Sequence, residues 1–324
     1  MAKLLTTRRR KITAAVVGSA LVAGAARSRR RVSIIENPCG PDGLTMPDGQ
    51  RSTITTDDGA TLAVFTAGPA GAPTVVLAHC WMGGMGLWGA VARRLVEQGY
   101  RVVLWDQRGH GDSTLGSDPI TVDRLGHDLH QILTDLDLRD VVLAGHSMGG
   151  MTVQALAAHH PDDIRNRVRG VTLAATAPHS GMLKVSPRAA NALLGDKRNQ
   201  LLARQASRPP RPMGPYGHPD SVKALGDAML GTTGEARAGF LTAMGRMDFR
   251  PTLSHITVPT KIFVGTKDRL TPPARARDLL AGIPGASLKV LDGYNHMLPY
   301  EAPDVLTEAI TSLSVSGLQA TARP

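Results

Sequence analysis

Short, uninterrupted apolar runs separated by helix-length stretches constrain this chain more than any other feature. The runs are Thr74–His79, Tyr100–Asp106, Asp140–His146, Gly170–Thr176, Thr260–Thr266 and Ser287–Gly293. Helical patterning covers roughly 86–98, 121–137, 148–160, 273–282 and 300–313 between and after them. A strand that is apolar at every residue is buried on both faces, and strands alternating with helices pair in parallel beneath them. Ahead of these runs, Arg51–Thr56 and Thr61–Thr66 flank the turn signal Asp57-Asp58-Gly59 and read as an antiparallel hairpin. The expected fold is α/β, with a mostly parallel, doubly wound sheet. Such sheets bind ligands at the carboxyl ends of their strands.

The alternation stops between Pro178 and about Pro251. That interval is rich in Ala, Leu, Met and Arg, is interrupted by RPPRPMGP at 208–215, and is helical in period. The expected organisation is a basic, apolar segment over 1–31 that resembles a signal or anchor, a Pro- and Gly-rich linker over 32–50, and a core over 51–177. A helical lid over 178–251, the rest of the core over 252–315 and a tail over 316–324 complete it.

A net charge of +10 suggests a polyanion partner until it is located. Residues 1–31 hold nine of the 37 basic residues and no acidic one, and the remainder balances 28 basic against 27 acidic. No nucleic-acid footprint is left. Within that segment, ITAAVVGSALVAGAA at 12–26 is too short to span a bilayer and suits the apolar region of a signal peptide. Ala23-Gly24-Ala25 resembles a cleavage site, whereas Arg27, Arg29, Arg30 and Arg31 just beyond it oppose translocation. The expectation is attachment to the cell envelope or export, with a cytoplasmic protein as the alternative. Cys39 and Cys80 cannot build a disulfide framework and read as free thiols.

The chemistry centres on Val141-Val142-Leu143-Ala144-Gly145-His146-Ser147-Met148-Gly149-Gly150. This is an apolar strand that runs into G-x-S-x-G and then a helix. A sharp strand-to-helix turn holds the serine in a strained conformation and needs glycine on both sides. The helix N-terminus directs free N–H groups at the reacting centre. The serine needs a base, and the base an orienting carboxylate; in sites of this kind the chain order is Ser, acid, His. Asp268 and His296 follow consecutive strands in that order, which makes Ser147, Asp268 and His296 the expected catalytic residues. Asp292 is the nearest competing acid, but stands too close in sequence to His296.

The motifs GHSMGG at 145–150, DQRGHGDS at 106–113, GTKDRLTPP at 265–273 and GYNHM at 293–297 give residues 51–315 a resemblance to the α/β-hydrolase superfamily. Within it, the chain looks particularly like small bacterial esterases, monoglyceride-lipase-like enzymes and cofactor-free haloperoxidases. The resemblance implies an oxyanion hole from the backbone N–H groups of Trp81, in His79-Cys80-Trp81, and of Met148. Cys80 stands where the family usually has Gly, a steric penalty if the position requires positive φ. The resemblance also implies that Asp106, Arg108 and His110 brace the site rather than react. A serine nucleophile argues against dehalogenase or epoxide-hydrolase chemistry, for which this superfamily uses a carboxylate.

Ten of the 12 Met lie in the presumed active-site loops or lid. Met82, His146 and Met297 are expected to line an adaptable apolar pocket, while Met244 and Met247 have the spacing of helix packing. His127 and His130 share a helical face, but no nearby carboxylate or cysteine pattern completes a metal site; His159 and His160 should point apart. There is no phosphate loop or dinucleotide fingerprint, so neither metal nor cofactor is expected. The expected activity is hydrolysis of lipophilic carboxylic esters through an acyl-enzyme. Acyl transfer or perhydrolysis on the same triad is the alternative, and a non-catalytic lipid-binding protein a more distant one.

Overall fold

The computed structural model of the chain describes residues 37–180, 185–195 and 218–320, with side chains as far as Ser314. Eight strands form one sheet in the order β1-β2-β4-β3-β5-β6-β7-β8. They are β1 (Gly49–Thr55), β2 (Thr61–Ala67), β3 (Thr74–Ala78), β4 (Arg101–Trp105), β5 (Val141–His146), β6 (Val168–Ala174), β7 (Thr260–Gly265) and β8 (Ser287–Leu291). The hairpin β1–β2 is antiparallel, closes at Gly59 (φ +83°), and joins the sheet antiparallel to β4. From β4 onward all neighbours run parallel, so β3 to β8 end along a single rim.

The helices are α1 (Gly89–Glu97), α2 (Val122–Asp135), α3 (Met148–His159), α4 (Pro161–Arg167), α5 (Pro187–Leu194), α6 (Pro219–Gly231), α7 (Gly234–Met244), α8 (Pro273–Gly282), α9 (Leu298–Glu301) and α10 (Pro303–Ala320). The inner strands β3 to β7 are buried on both faces, as their continuous apolar runs demand, while the edge strands β1 and β8 are largely exposed. On one face Leu77, Leu104 and Val142 pack with Trp88 and Leu95 from the α1 side and Ile310 from α10. On the other, Val76, Val103 and Leu143 pack with Leu129, Leu156 and Leu279 from α2, α3 and α8.

Between β6 and β7 the described residues carry α5, α6 and α7 and no strand. Phe240 and Met244 of α7, with Met247 and Phe249, pack on Met148, Met151 and Ala155 of α3. The methionines at helical spacing therefore fill this seam. Met182 and Met213 lie outside the described residues.

The stretch read as a linker is tied down where it is described. Arg93 donates to the carbonyls of Cys39 (3.0 Å) and Thr45 (2.9 Å), and Arg94 to that of Pro38 (3.1 Å), while the Cys39 side chain is fully buried. The sequence offers no strand or helix there, so these side-chain bonds supply the order. Among the described residues no helix is long and apolar enough to cross a membrane. The segment 1–31 lies outside them.

Candidate active site

Ser147 occupies the turn between β5 and α3 with φ 54° and ψ −115°, a conformation that non-glycine residues avoid. Space explains the glycines around it. A Cβ on Gly145 would stand 2.4 Å from the Gly149 carbonyl oxygen, and one on Gly149 would stand 2.2 Å from that of Ala78. The helix is thus pressed against the ends of its own strand and of β3. Ser147 N–H donates to Ala174 O (2.9 Å), which ties the turn to β6.

His296, in the loop after β8, brings Nε2 to 3.1 Å from Ser147 Oγ. Its Nδ1 lies 2.9 Å from Asp268 Oδ2, in the loop after β7. The side chains come from the ends of β5, β7 and β8, and Ser147, Asp268 and His296 are 8, 3 and 4% exposed. Asp268 does not cap the following helix, whose N-cap is Pro272. Its Oδ1 accepts from the amides of Leu270 (2.8 Å) and Thr271 (2.9 Å), and its Oδ2 also accepts from Thr271 Oγ1 (2.8 Å). Burial works against the Asp268 charge, but His296 and the Thr271 donors together outweigh it and hold the carboxyl below its ordinary value. Asp292 faces Thr266 Oγ1 (3.1 Å), away from the imidazole.

The loop after β3 carries Trp81. The strain foreseen for Cys80 falls elsewhere: Cys80 is not among the residues with positive φ, whereas Met82 is, at 56°. Gly83 N–H donates to Cys80 O (3.0 Å), so Cys80 opens a four-residue turn and Met82 takes the third position, where left-handed backbone is common. His110 Nε2 accepts the Met82 N–H at 3.1 Å and holds that conformation. Among the described residues no hydrogen bond takes up the N–H of Trp81 or of Met148. The Trp81 indole N–H donates to Arg237 O of α7 (3.2 Å).

The DQRGHGDS loop acts as a brace. Asp106 accepts the amides of Met85 (2.8 Å) and Asp112 (3.0 Å), and Arg108 is buried between Asp58 and Asp128. Gln107, which nothing in the sequence singled out, is the centre of it. It donates N–H to His79 Nε2 (2.8 Å) and its side-chain amide to His79 O (2.5 Å), and accepts from Thr152 Oγ1 of α3 (2.6 Å).

His146 and Met297, expected to line the substrate pocket, are both closed off from solvent. They are 0 and 2% exposed. His146 Nε2–H donates to His296 O (2.8 Å), and Met297 joins the apolar layer beside α10. The alternation that placed them at the strand ends does not reveal which way the loop folds back. Met82 is partly exposed. Glu301, also missed, is 2% exposed and accepts the amides on either side of His296, from Asn295 and Met297, each at 2.9 Å.

The histidine pair on α2 is not isolated as expected. The helix ends at His159, and His160 leaves it at φ −131°, ψ 59°, so that His159 and His160 both turn to His127, with ring centroids 5.1 and 4.9 Å away. Asp163 of α4 meets His130 at 2.5 Å.

Residues 71–303 match the family model described as serine aminopeptidase, S33. The chain is 27% identical over 263 residues to a 3-oxoadipate enol-lactonase of Acinetobacter baylyi, covering 81% of this chain and 96% of that one. It is 30% identical over 239 residues to a non-heme chloroperoxidase of Kitasatospora aureofaciens, covering 68 and 84%. Among solved structures, a hydrolase from Pseudomonas aeruginosa superposes with a TM-score of 0.71 at 28% identity, covering 82% of this chain and 99% of that one.

Proposed function

Because the chain belongs to the α/β-hydrolase superfamily, in the family described as serine aminopeptidase, S33, we propose that this hydrolase cleaves carboxylic esters with apolar acyl groups through Ser147, His296 and Asp268. One observation carries the reading: the unbroken relay from Ser147 Oγ to His296 Nε2 (3.1 Å) and from His296 Nδ1 to Asp268 Oδ2 (2.9 Å). These lengths suit proton transfer without a further movement.

Ser147 Oγ adds to the ester carbonyl carbon as His296 Nε2 takes its proton, and Asp268 stabilises the imidazolium. The tetrahedral oxyanion is held by the N–H groups of Trp81 and Met148, two amides with no other partner among the described residues. The C–O bond then breaks, and the leaving alkoxide takes the proton from His296. Water repeats the cycle on the acyl-enzyme and releases the acid. No step calls on a cofactor. His146 positions the His296 loop, and the partly exposed Met82 and Trp81 offer the acyl group its apolar surface.

The likeness to a chloroperoxidase favours a second reading on the same triad, in which a peroxide or an alcohol replaces water in the second step. The likeness to an enol-lactonase widens the first to cyclic esters. A panel of p-nitrophenyl esters of rising chain length, run on wild type and Ser147→Ala, tests the proposal. Equal rates for the two proteins would dismiss it, and product analysis with competing hydrogen peroxide or alcohol separates the two readings. We read residues 1–31 as the segment that brings the enzyme to the cell envelope.

A further inference from the structure

The end of α3 farthest from Ser147 carries a group of side chains that the proposed chemistry does not use. His127 and His130 lie one helical turn apart on α2. His159 and His160 end α3, and Asp163 starts the next turn in α4. The helices approach closely because residue 126 is glycine: a Cβ there would stand 2.6 Å from the Ala155 carbonyl carbon. Twelve residues of α3 separate the group from Ser147, about 18 Å at the α-helical rise.

The histidine rings crowd one another. His130 and His160 stack with centroids 3.9 Å apart and planes 3° from parallel. His127 Nδ1 and His160 Nε2 lie 2.7 Å apart, so the two rings share one proton. His130 Nδ1 donates to Asp163 Oδ2, and Asp163 Oδ1 is held by Arg167 Nε at 3.3 Å. One ligand atom from each of His130, His160 and Asp163 falls within 4.8 Å of the others. The side chains of His127, His130 and His160 open onto a surface depression of 410 Å³, whose wall also carries Asp57 and Asp135.

We propose that His130, His160 and Asp163 form a binding site for a divalent transition ion, separate from the catalytic centre. Two imidazoles and one carboxylate, with a position left for water, are a donor set suited to zinc, and imidazole disfavours magnesium and calcium. His127, bonded to His160, and Arg167, bonded to Asp163, are the outer partners that orient the ligands. The stacked rings must tilt apart for their nitrogens to face one ion. Bound there, the ion links α2 to the α3–α4 corner and clamps the helix that carries the nucleophile at its other end.

The test uses the full chain, produced without a histidine tag and stripped with EDTA. Zinc chloride is titrated against a chromogenic chelator, and thermal unfolding is followed with zinc or magnesium in excess. Saturable binding of one zinc per chain, and a Tm raised by zinc and not by magnesium, are expected. His160→Gln and Asp163→Asn should each weaken binding about tenfold or more, while His218→Gln, on another surface, should not. Asp163 also pairs with Arg167, so His160→Gln decides the matter if Asp163→Asn fails to fold. No saturable binding, an equal response to magnesium, or undiminished binding in His160→Gln would each overturn the proposal. Ser147→Ala should bind zinc as wild type does, which keeps this outcome independent of the esterase reading.

Discussion

Glu301 holds His296 from behind: its two carboxylate oxygens accept the amides of Asn295 and Met297, the residues on either side of the imidazole. Through these two amides it acts on the imidazole by way of the backbone of the loop. Glu301→Gln turns an amide N–H toward one of those donors, and Glu301→Ala removes both acceptors. We expect kcat to fall by about 10²-fold in the alanine variant with KM little changed, as for a misplacement of the order of 1 Å. Steady-state kinetics on a p-nitrophenyl ester measures it. An unchanged kcat in a folded Glu301→Ala protein would show that the loop holds its shape without the clamp.

Removal of the Asp268 charge without changing its shape should be nearly as damaging as removal of the nucleophile. Asp268→Asn places a donor against His296 Nδ1 and favours the wrong tautomer, which predicts a drop in kcat of about 10⁴-fold. If the residues act as one unit, Ser147→Ala combined with Asp268→Asn should be little worse than Ser147→Ala alone. Additive losses in the double variant would mean that the two side chains act separately.

Acid should unfold the protein by charging histidines it keeps neutral. Burial lowers the pKa of His79 to about 4 and those of His110 and His146 to about 3. The unfolded chain titrates these groups near 6.5, so below that pH it binds protons that the folded chain does not. Stability is therefore whole above about pH 6.5 and falls as the pH drops toward 4, by up to about 1.4 kcal/mol per pH unit for each histidine. The urea midpoint, measured from pH 8 to 4, should decline over that window. A flat profile would show that these imidazoles already carry charge in the native state.

Both thiols should be inert in the native protein. Cys39 and Cys80 are free and buried, and burial raises the Cys80 thiol to about 12, so neither offers thiolate at neutral pH. An Ellman titration should find no reactive thiol before denaturation and both afterwards, and any turnover of p-nitrophenyl esters should be insensitive to iodoacetamide. Rapid modification of the native protein would contradict this.

Location can be tested apart from chemistry. If residues 1–31 attach the enzyme to the envelope, fractionation should find the full chain with the membranes and a chain without them in the soluble fraction. The same distribution for both would remove the role of that segment.

The sheet was legible because an apolar strand that is buried on both faces announces itself. Each expected strand falls within two or three residues of an observed one. Ser147, Asp268 and His296 were legible for a related reason, since their spacing follows the strand ends. The residues that hold them were not. Glu301 follows His296 by five positions and Gln107 precedes Thr152 by 45, intervals set by how loops fold back rather than by any period. His146 shows the same limit: it stands next to Ser147 in sequence, yet its N–H reaches the loop of another strand. The histidine group at the end of α3 was hidden because the chain leaves the helix at His160, which no helical projection anticipates.

The single bond from the Trp81 indole to the Arg237 carbonyl has a mechanical implication. Trp81 belongs to the segment that would grip the negative oxygen, while Arg237 belongs to the insertion that covers the seam above α3. If Trp81 serves the oxyanion, a displacement of α7 that admitted a bulky guest would stretch or break that tether and loosen the grip at the moment of entry. Turnover would then require the cover to settle again, and guests too large to let it do so would be bound and left intact.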